Sequence, residues 1–433
     1  MDLLTANDRP GEYPPGYYAA SARALPRFGA AMGDLSCDVA VIGGGYTGLS
    51  AALHLAQAGY DVALVEANRV GWGASGRNGG QVGSGQRVDQ DDLEATVGTG
   101  PARALWDISV QSLTLVRALI KRHDIACDYA PGIIHADHRA RFVSHSHAYA
   151  EKLRTRYGYD DIRPLDFNEV RELVDSKDYF GGTLDMGSGH LHPLNYALGL
   201  AAAARDAGVR IFEDTRINAI TPGEPVVITS PAATIRAGSV LLACNGYLGG
   251  LEPRIARRVM PINNYILATE PLGPEAARAL IRDNHAVADS RFVVNFFRLS
   301  QDRRLLFGGS ESYGYRFPKD IAAQVRKPML RVFPQLRDTR IDHAWGGTLG
   351  ITMSRMPNFQ RLRGNILSAG GFSGHGVAMA TLAGQIMAET IAGTAERFDL
   401  MASVPTPAFP GGVALRWPLL VAAMTWYSLR DRL

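Results

Sequence analysis

The chain has 433 residues, 46% of them apolar, which is enough for two or three domains at about 150 residues each. Forty-five Lys and Arg against 42 Asp and Glu leave a formal charge of +3 with no long basic run, which argues against a nucleic-acid partner. Three widely spaced cysteines, Cys37, Cys127 and Cys244, with no CxxC and no His at zinc-ligand spacing, argue against a disulfide framework or a metal site and for the reducing cytoplasm.

After a Tyr- and Pro-rich arm at 1–35 without an apolar leader segment, Asp38-Val-Ala-Val-Ile42 predicts a short strand. A Leu- and Ala-rich helix follows, ending at Gly59, and then a second buried strand, Tyr60-Asp-Val-Ala-Leu-Val65. Between strand and helix, Gly43-Gly-Gly45-Tyr-Thr-Gly48 matches GxGxxG in the place its mechanism needs. The glycines give a tight turn, close approach of backbone to a pyrophosphate, and close helix packing. Glu66 ends the second strand, where a carboxylate binds ribose hydroxyls and disfavours a 2′-phosphate, and so NADP. The bland alternative is a glycine-rich structural turn.

The second glycine cluster, Gly71-Trp-Gly-Ala-Ser-Gly-Arg-Asn-Gly-Gly-Gln81, suits neither helix nor strand. It reads as a flexible surface loop or as backbone lying against a flat polar ring whose edges Arg77, Asn78 and Gln81 satisfy. Residues 91–180 read as mixed helical material. His192-Pro-Leu-Asn195 opens a helix, Tyr196 to Ala207, stopped by Gly208; His190 and His192 read as caps of that helix start more than as bases. Val209 to Glu213 and Ser239 to Ala243 are further strands. Alternating segments such as Phe292 to Phe297 and Arg304 to Phe307 suit a separate, mostly antiparallel sheet.

The third cluster, Gly370-Gly-Phe-Ser-Gly-His-Gly376, lies between strand Ile366 to Ala369 and a helix from Val377 to Ile391. A helix N-terminus there would favour negative charge on a ligand; plain packing or a second phosphate loop is the alternative. The apolar run Trp417 to Trp426 is half the roughly 20 residues of a spanning helix. It reads as a docked C-terminal helix, with peripheral membrane contact as the alternative.

These elements predict an α/β fold: a Rossmann-like dinucleotide domain (36–90, 188–252 and 342–400) interleaved with an α+β substrate domain (91–187 and 253–341) on a mostly antiparallel sheet. The arm 1–35 and a tail, 401–433, flank them.

Asp38 to Glu66, the string from Gly73 to Gln81 and the string from Gly370 to Gly376 together resemble the D-amino-acid oxidase/sarcosine oxidase (DAO) family of FAD-dependent amine oxidoreductases. Tyr13 to Ser21, Gly189 to Asn195, Pro328 to Leu336, Phe409 to Gly412 and Trp426 to Arg432 extend the resemblance over nearly the whole chain, toward the family's branch that oxidises gamma-glutamylputrescine or similar N-substituted amines. The resemblance implies FAD with its pyrophosphate at Gly43, Gly45 and Gly48, and its adenosine at Glu66, Ala67, Asn68 and Ile217. Ser75, Arg77, Asn78, Gly80 and Gln81 would follow the ribityl chain and flavin, Asn245 and Gly246 would touch the cofactor, and Gly374, His375, Gly376 and Val377 would meet the pyrimidine edge. No cysteine occurs in Trp345 to Gly350, where some members tether flavin, or anywhere after Cys244, so the FAD is expected to be non-covalent. The lysine that promotes oxygen reactivity in some members has no counterpart in Arg303 to Gly308. The acceptor therefore stays open between oxygen and a quinone.

The implied chemistry is oxidation of an amine to an imine, hydrolysed to aldehyde and ammonia, with no protein acid or base assigned. Arg298 is the candidate for a substrate carboxylate, with Tyr265, Phe296 and Trp345 as pocket walls and His375 backing the flavin. Rival readings are a D-amino-acid or sarcosine/glycine-type enzyme passing electrons to a quinone, and a flavoprotein without turnover.

Overall fold

The structure, a computed structural model, describes residues 1–312 and 314–412; the expected helix from Trp417 to Trp426 lies outside the described residues. Strand Gly33–Ile42 pairs along its whole length with Ala233–Leu242, but only Val39 to Ile42 are also flanked by Val62–Val65, and only those four are buried. That is why the apolar signal covers just the end of a strand twice as long. Ala233–Leu242 continues to Ile366–Gly370 and Val62–Val65 to Arg210–Phe212, all parallel. Antiparallel edges are added by Asn358–Arg363 and by Val226–Thr229 with Ala219–Thr221. The chain builds first to one side of Gly33–Ile42 and later to the other, and this reversal opens a crevice at the carboxyl ends of the strands.

Helix Tyr46–Gln57 springs directly from that crevice. Its Leu49, Leu53 and Leu55 are fully buried, each contributing roughly 1.5–3 kcal/mol, against helices Pro193–Asp206 and Gly376–Ile391. A Cβ on Gly384 would sit 2.3 Å from the Thr47 carbonyl oxygen, so the two helices meet backbone to backbone.

The second sheet runs Ile341–Ile351, Met260–Thr269, Leu305–Ser312, Phe296–Leu299, Ala286–Asp289, Ala130–Ala136, Gly182–His190, Gln81–Val82. Of these neighbours, only Ala286–Asp289 and Ala130–Ala136 are parallel. Its covered face is aromatic: Phe297 stacks on Phe307 at 5.4 Å and meets Phe333 edge-on at 5.0 Å. Helix Ile321–Val332 closes it with Val325 and Met329.

Two differences from the expected pattern have local causes. Strand Ile341–Ile351 pairs over its length with Met260–Thr269, so the segment expected to begin the last return to the nucleotide domain starts inside the second sheet, and the first sheet resumes at Asn358. The strand expected from Phe292 begins at Phe296, because the Asp289 carboxylate accepts from the Asn295 backbone N–H and Nδ2 and pairs with Arg291, folding the intervening residues into a turn.

The N-terminal arm lies across both sheets: Asp8 pairs with Arg77 at 2.6 Å, Trp72 Nε1 donates to the Glu12 carbonyl, and the Tyr17 hydroxyl donates to Asp302. Among the described residues no helix is long and apolar enough to cross a membrane.

Candidate functional site

A cavity of about 710 Å³ occupies the crevice, within the roughly 300–1,000 Å³ typical of small-molecule sites. Gly43 and Gly45 line it, at the mouth of helix Tyr46–Gln57, whose first-turn N–H groups have no intrahelical partner. The turn is stitched to the neighbouring strand: the Gly43 N–H donates to the Val65 carbonyl and the Gly44 N–H to Glu66 Oε2 at 2.7 Å. A Cβ on Gly48 would fall 1.8 Å from the Gly43 carbonyl oxygen, so any larger residue forces helix and turn apart.

Glu66, Ala67 and Ile217 line the same cavity. Burial pushes the Glu66 carboxyl up, opposed by the Asn68 and Gly44 N–H groups that bond to it. Asn68 stands behind the wall, accepting from the Gly11 N–H, while its Nδ2 is buried without a partner among the described residues. Cys244 also borders the cavity, and burial pushes its thiol up to about 12, which keeps it protonated and a poor nucleophile.

In the second glycine cluster only Ser75 of the predicted residues reaches the cavity; its Oγ accepts from the Tyr46 N–H at the helix start. The others brace protein. Arg77 donates to the Trp72 carbonyl, pairs with Asp8 and lies over the Trp72 ring at 4.2 Å. Asn78 Nδ2 donates to the Ala74 and Ser75 carbonyls, and its Oδ1 accepts from the Gly80 N–H. Gly80 has φ +78 and its Cβ would strike the Leu191 carbonyl at 2.1 Å; Gln81 Nε2 donates to the Val287 carbonyl. These bonds set the loop's course, and Arg77, Asn78, Gly80 and Gln81 do not line this cavity.

The third cluster is brought to the first by Asn245, which lines the cavity beside Gly246 and accepts from the Gly371 N–H at 2.9 Å. Gly374, His375 and Gly376 turn into helix Gly376–Ile391, with Val377 buried beneath. His375 lies against Gly83, whose Cβ would meet its ring at 2.8 Å, and burial together with nearby Arg87 lowers it to about 4. Its Nε2 is buried with no partner among the described residues.

These residues fit FAD: a glycine turn opening a helix for the pyrophosphate, a carboxylate for the ribose, a cavity of suitable size, and an orphaned ring nitrogen in the third loop.

The candidates for the amine pocket are placed differently. Arg298 is buried, donating through Nε to the Gly79 carbonyl, through Nη1 to the Leu299 carbonyl and through Nη2 to the Tyr18 hydroxyl. Its fork, expected for a carboxylate, holds the second glycine loop and the arm. Tyr265 is a core residue bonded to Ser312 and set edge-on to Phe317. Trp345 is buried, Nε1 donating to the Arg77 carbonyl. Phe296 is clamped where a Cβ on Gly79 or Gly308 would strike its ring. His192 Nδ1 accepts from the Asn195 N–H as the helix cap, and burial with nearby Arg298 holds both His190 and His192 near about 3.

Sequence reasoning missed a group of charged residues near His375. Arg87 and His135 both oppose protonation of His375 through their charge. Burial pushes the half-buried Glu311 carboxyl up, opposed by the charges of Arg355 and Arg87. Arg87 follows the second glycine cluster closely, but neither Glu311 nor Arg355 carries a motif.

A family model described as FAD dependent oxidoreductase, DAO, matches residues 38–390. The chain is 42% identical over 423 residues to the gamma-glutamylputrescine oxidoreductase of Escherichia coli (strain K12), covering 98% of this chain and 99% of that one. It is also 42% identical to the probable oxidoreductase OrdL of Rhizobium meliloti (strain 1021), over 96% and 98% of the two chains. The crystal structure of glycine oxidase from Geobacillus kaustophilus matches with a TM-score of 0.73 at 21% identity, over 87% of this chain and 100% of that one, a likeness of fold.

Proposed function

The chain belongs to the DAO family of FAD-dependent oxidoreductases, and from that premise we propose that the amine it oxidises is gamma-glutamylputrescine or a similar N-substituted amine. The observation that carries this reading is the near-full-length 42% identity to an enzyme named for that compound. The products are an aldehyde and ammonia. The substrate enters as R–CH₂–NH₃⁺, loses a proton to free the nitrogen lone pair, and loses hydride from carbon to become R–CH=NH₂⁺. Water then converts the iminium to R–CHO and NH₄⁺. FAD, when bound, supplies the acceptor for that hydride.

The protein's part is positioning. Gly43, Gly45 and Glu66 would hold the pyrophosphate and ribose of FAD; Ser75 fixes the helix start and Asn245 ties the third loop to the crevice. His375 stays neutral at pH 7 and offers Nε2 as a hydrogen-bonding atom without adding charge. The FAD is held without a covalent link, consistent with a protonated Cys244 at the cavity. Three free cysteines support a reducing cytoplasm.

Anaerobic mixing of the yellow protein with a panel of amines tests the substrate. Bleaching of the flavin bands by gamma-glutamylputrescine, and not by glycine, sarcosine or D-alanine, is expected; the reverse order would overturn the reading. Oxygen uptake with peroxide release distinguishes oxygen from a quinone as acceptor.

A further inference from the structure

The arm that crosses both sheets also reaches the crevice. Met1, Asp2, Leu3 and Leu4 line the same cavity as Gly43, Glu66 and Ile217. An Asx turn sets them there: the Leu4 N–H donates to Asp2 Oδ1 at 3.1 Å, and the other Asp2 oxygen pairs with Arg216, which precedes Ile217 on the cavity wall. Tyr315 lines the cavity as well, and Asn7 grips it, Nδ2 donating to the Tyr315 carbonyl and Oδ1 accepting from the Phe317 N–H, both at 2.8 Å. Further along, Arg27 pairs with Asp214 and the Ala31 N–H donates to Thr215 Oγ1 at 2.9 Å, so both ends of the arm hold the strip 214–216. The anchors from Asn7 onward fix the arm without help from its first four residues, since an ion pair as exposed as Asp2 with Arg216 adds little stability. What those four residues add is surface. Leu3 and Leu4 are half-buried and Met1 is 72% exposed, apolar area at the cavity that a flat ring can cover.

We propose that Met1 to Leu4 are a wall of the cofactor site, closing over the adenosine end of FAD, so that arm docking and FAD binding strengthen each other. This rests on FAD lying in the crevice with its adenosine by Glu66 and Ile217. The adenosine end is the one met because Asp2 is tied to Arg216, next to Ile217. Adenine offers flat apolar faces to Met1, Leu3 and Leu4, and contact removes water from both partners. Coupling of this kind is reciprocal: the factor by which the segment raises FAD affinity is the factor by which FAD holds the segment in place.

The test titrates apoprotein with FAD and follows flavin fluorescence. Deleting residues 2–5, which leaves the anchors from Asn7 onward, is expected to weaken FAD binding by about 10-fold, and Asp2→Ala by about 3-fold. The melting temperature of the apoprotein is expected to stay unchanged in both, a readout that a merely structural role would move. In the full chain, amide hydrogen exchange across residues 1–8 is expected to slow by about 10-fold when FAD is bound. Unchanged FAD affinity in the deletion overturns the proposal, and so does equal exchange with and without FAD, whatever the deletion does. Glu66→Ala separates the proposal from the reading it rests on. Weaker FAD binding there but not in the deletion keeps FAD in the crevice and removes the arm from it; the opposite pattern keeps the arm and removes Glu66.

Discussion

The crevice of the first sheet is assembled from neighbours in sequence. Gly43, Gly44 and Glu66 come from one strand–helix–strand unit, and the hydrogen bond from Gly44 to Glu66 closes it. The pin at Arg298 is assembled from strangers: its guanidinium donates to the Gly79 carbonyl and the Tyr18 hydroxyl, which arrive from segments far apart in the chain. A cofactor used by many enzymes is met by backbone, helix ends and glycine, whose geometry tolerates little change. A substrate is met by side chains on loop and strand ends, which can be exchanged without disturbing the fold.

Substitutions can break this contrast, beginning with the most severe. Gly48→Val places a branched side chain where even a Cβ would lie 1.8 Å from a carbonyl oxygen. Overpacking of about 3 kcal/mol or more is expected, seen as loss of bound flavin and a lower melting temperature; a variant with full flavin content would show that the turn yields easily. Glu66→Ala removes the carboxylate that caps Gly44 and faces the cavity, and FAD affinity should fall by about 10–100-fold, measured by titrating apoprotein with FAD. Unchanged affinity would remove Glu66 from the ribose site.

Arg298→Ala sharpens the contrast from the other side. It leaves the Gly79 and Leu299 carbonyls and the Tyr18 hydroxyl without their donor, and stability should drop by about 2 kcal/mol in a denaturant titration. The half-saturating concentration of gamma-glutamylputrescine in flavin reduction should not change. If that concentration rises while stability holds, Arg298 binds substrate after all.

The smallest effect is on pH. His190 and His192 are held near about 3, so below about pH 6.5 the unfolded chain binds protons that the folded chain refuses. Their contribution to stability is complete above that pH and is lost on acidification, at up to about 1.4 kcal/mol per pH unit for each histidine. His192→Asn keeps a helix cap and should make the fall in melting temperature between pH 7 and pH 5 shallower; an identical slope would locate the acid sensitivity elsewhere.

Much of the crevice was legible in the amino-acid string because its physics is local. The spacing of Gly43, Gly45 and Gly48, the buried strand before them and Glu66 after the second strand all lie within one supersecondary unit. The second glycine cluster was legible as a loop, and Asn78 bonds the Ala74 carbonyl within it, but Arg77 and Gln81 brace Asp8 and the Val287 carbonyl, partners far away in the chain. Arg298 beside two phenylalanines reads equally as a ligand or a pin, and only the packed Tyr18 and Gly79 decide between them.

The chain by itself determined the nucleotide fold, the family and the identity of the cofactor, because glycine spacing and strand–helix periodicity are short-range properties written into contiguous residues. Tertiary structure alone decided which polar side chains are spent on protein and which stay free. Burial and pairing depend on segments that meet only when both sheets are folded, and so the engagement of Arg298 by Gly79 and Tyr18 became visible only in three dimensions.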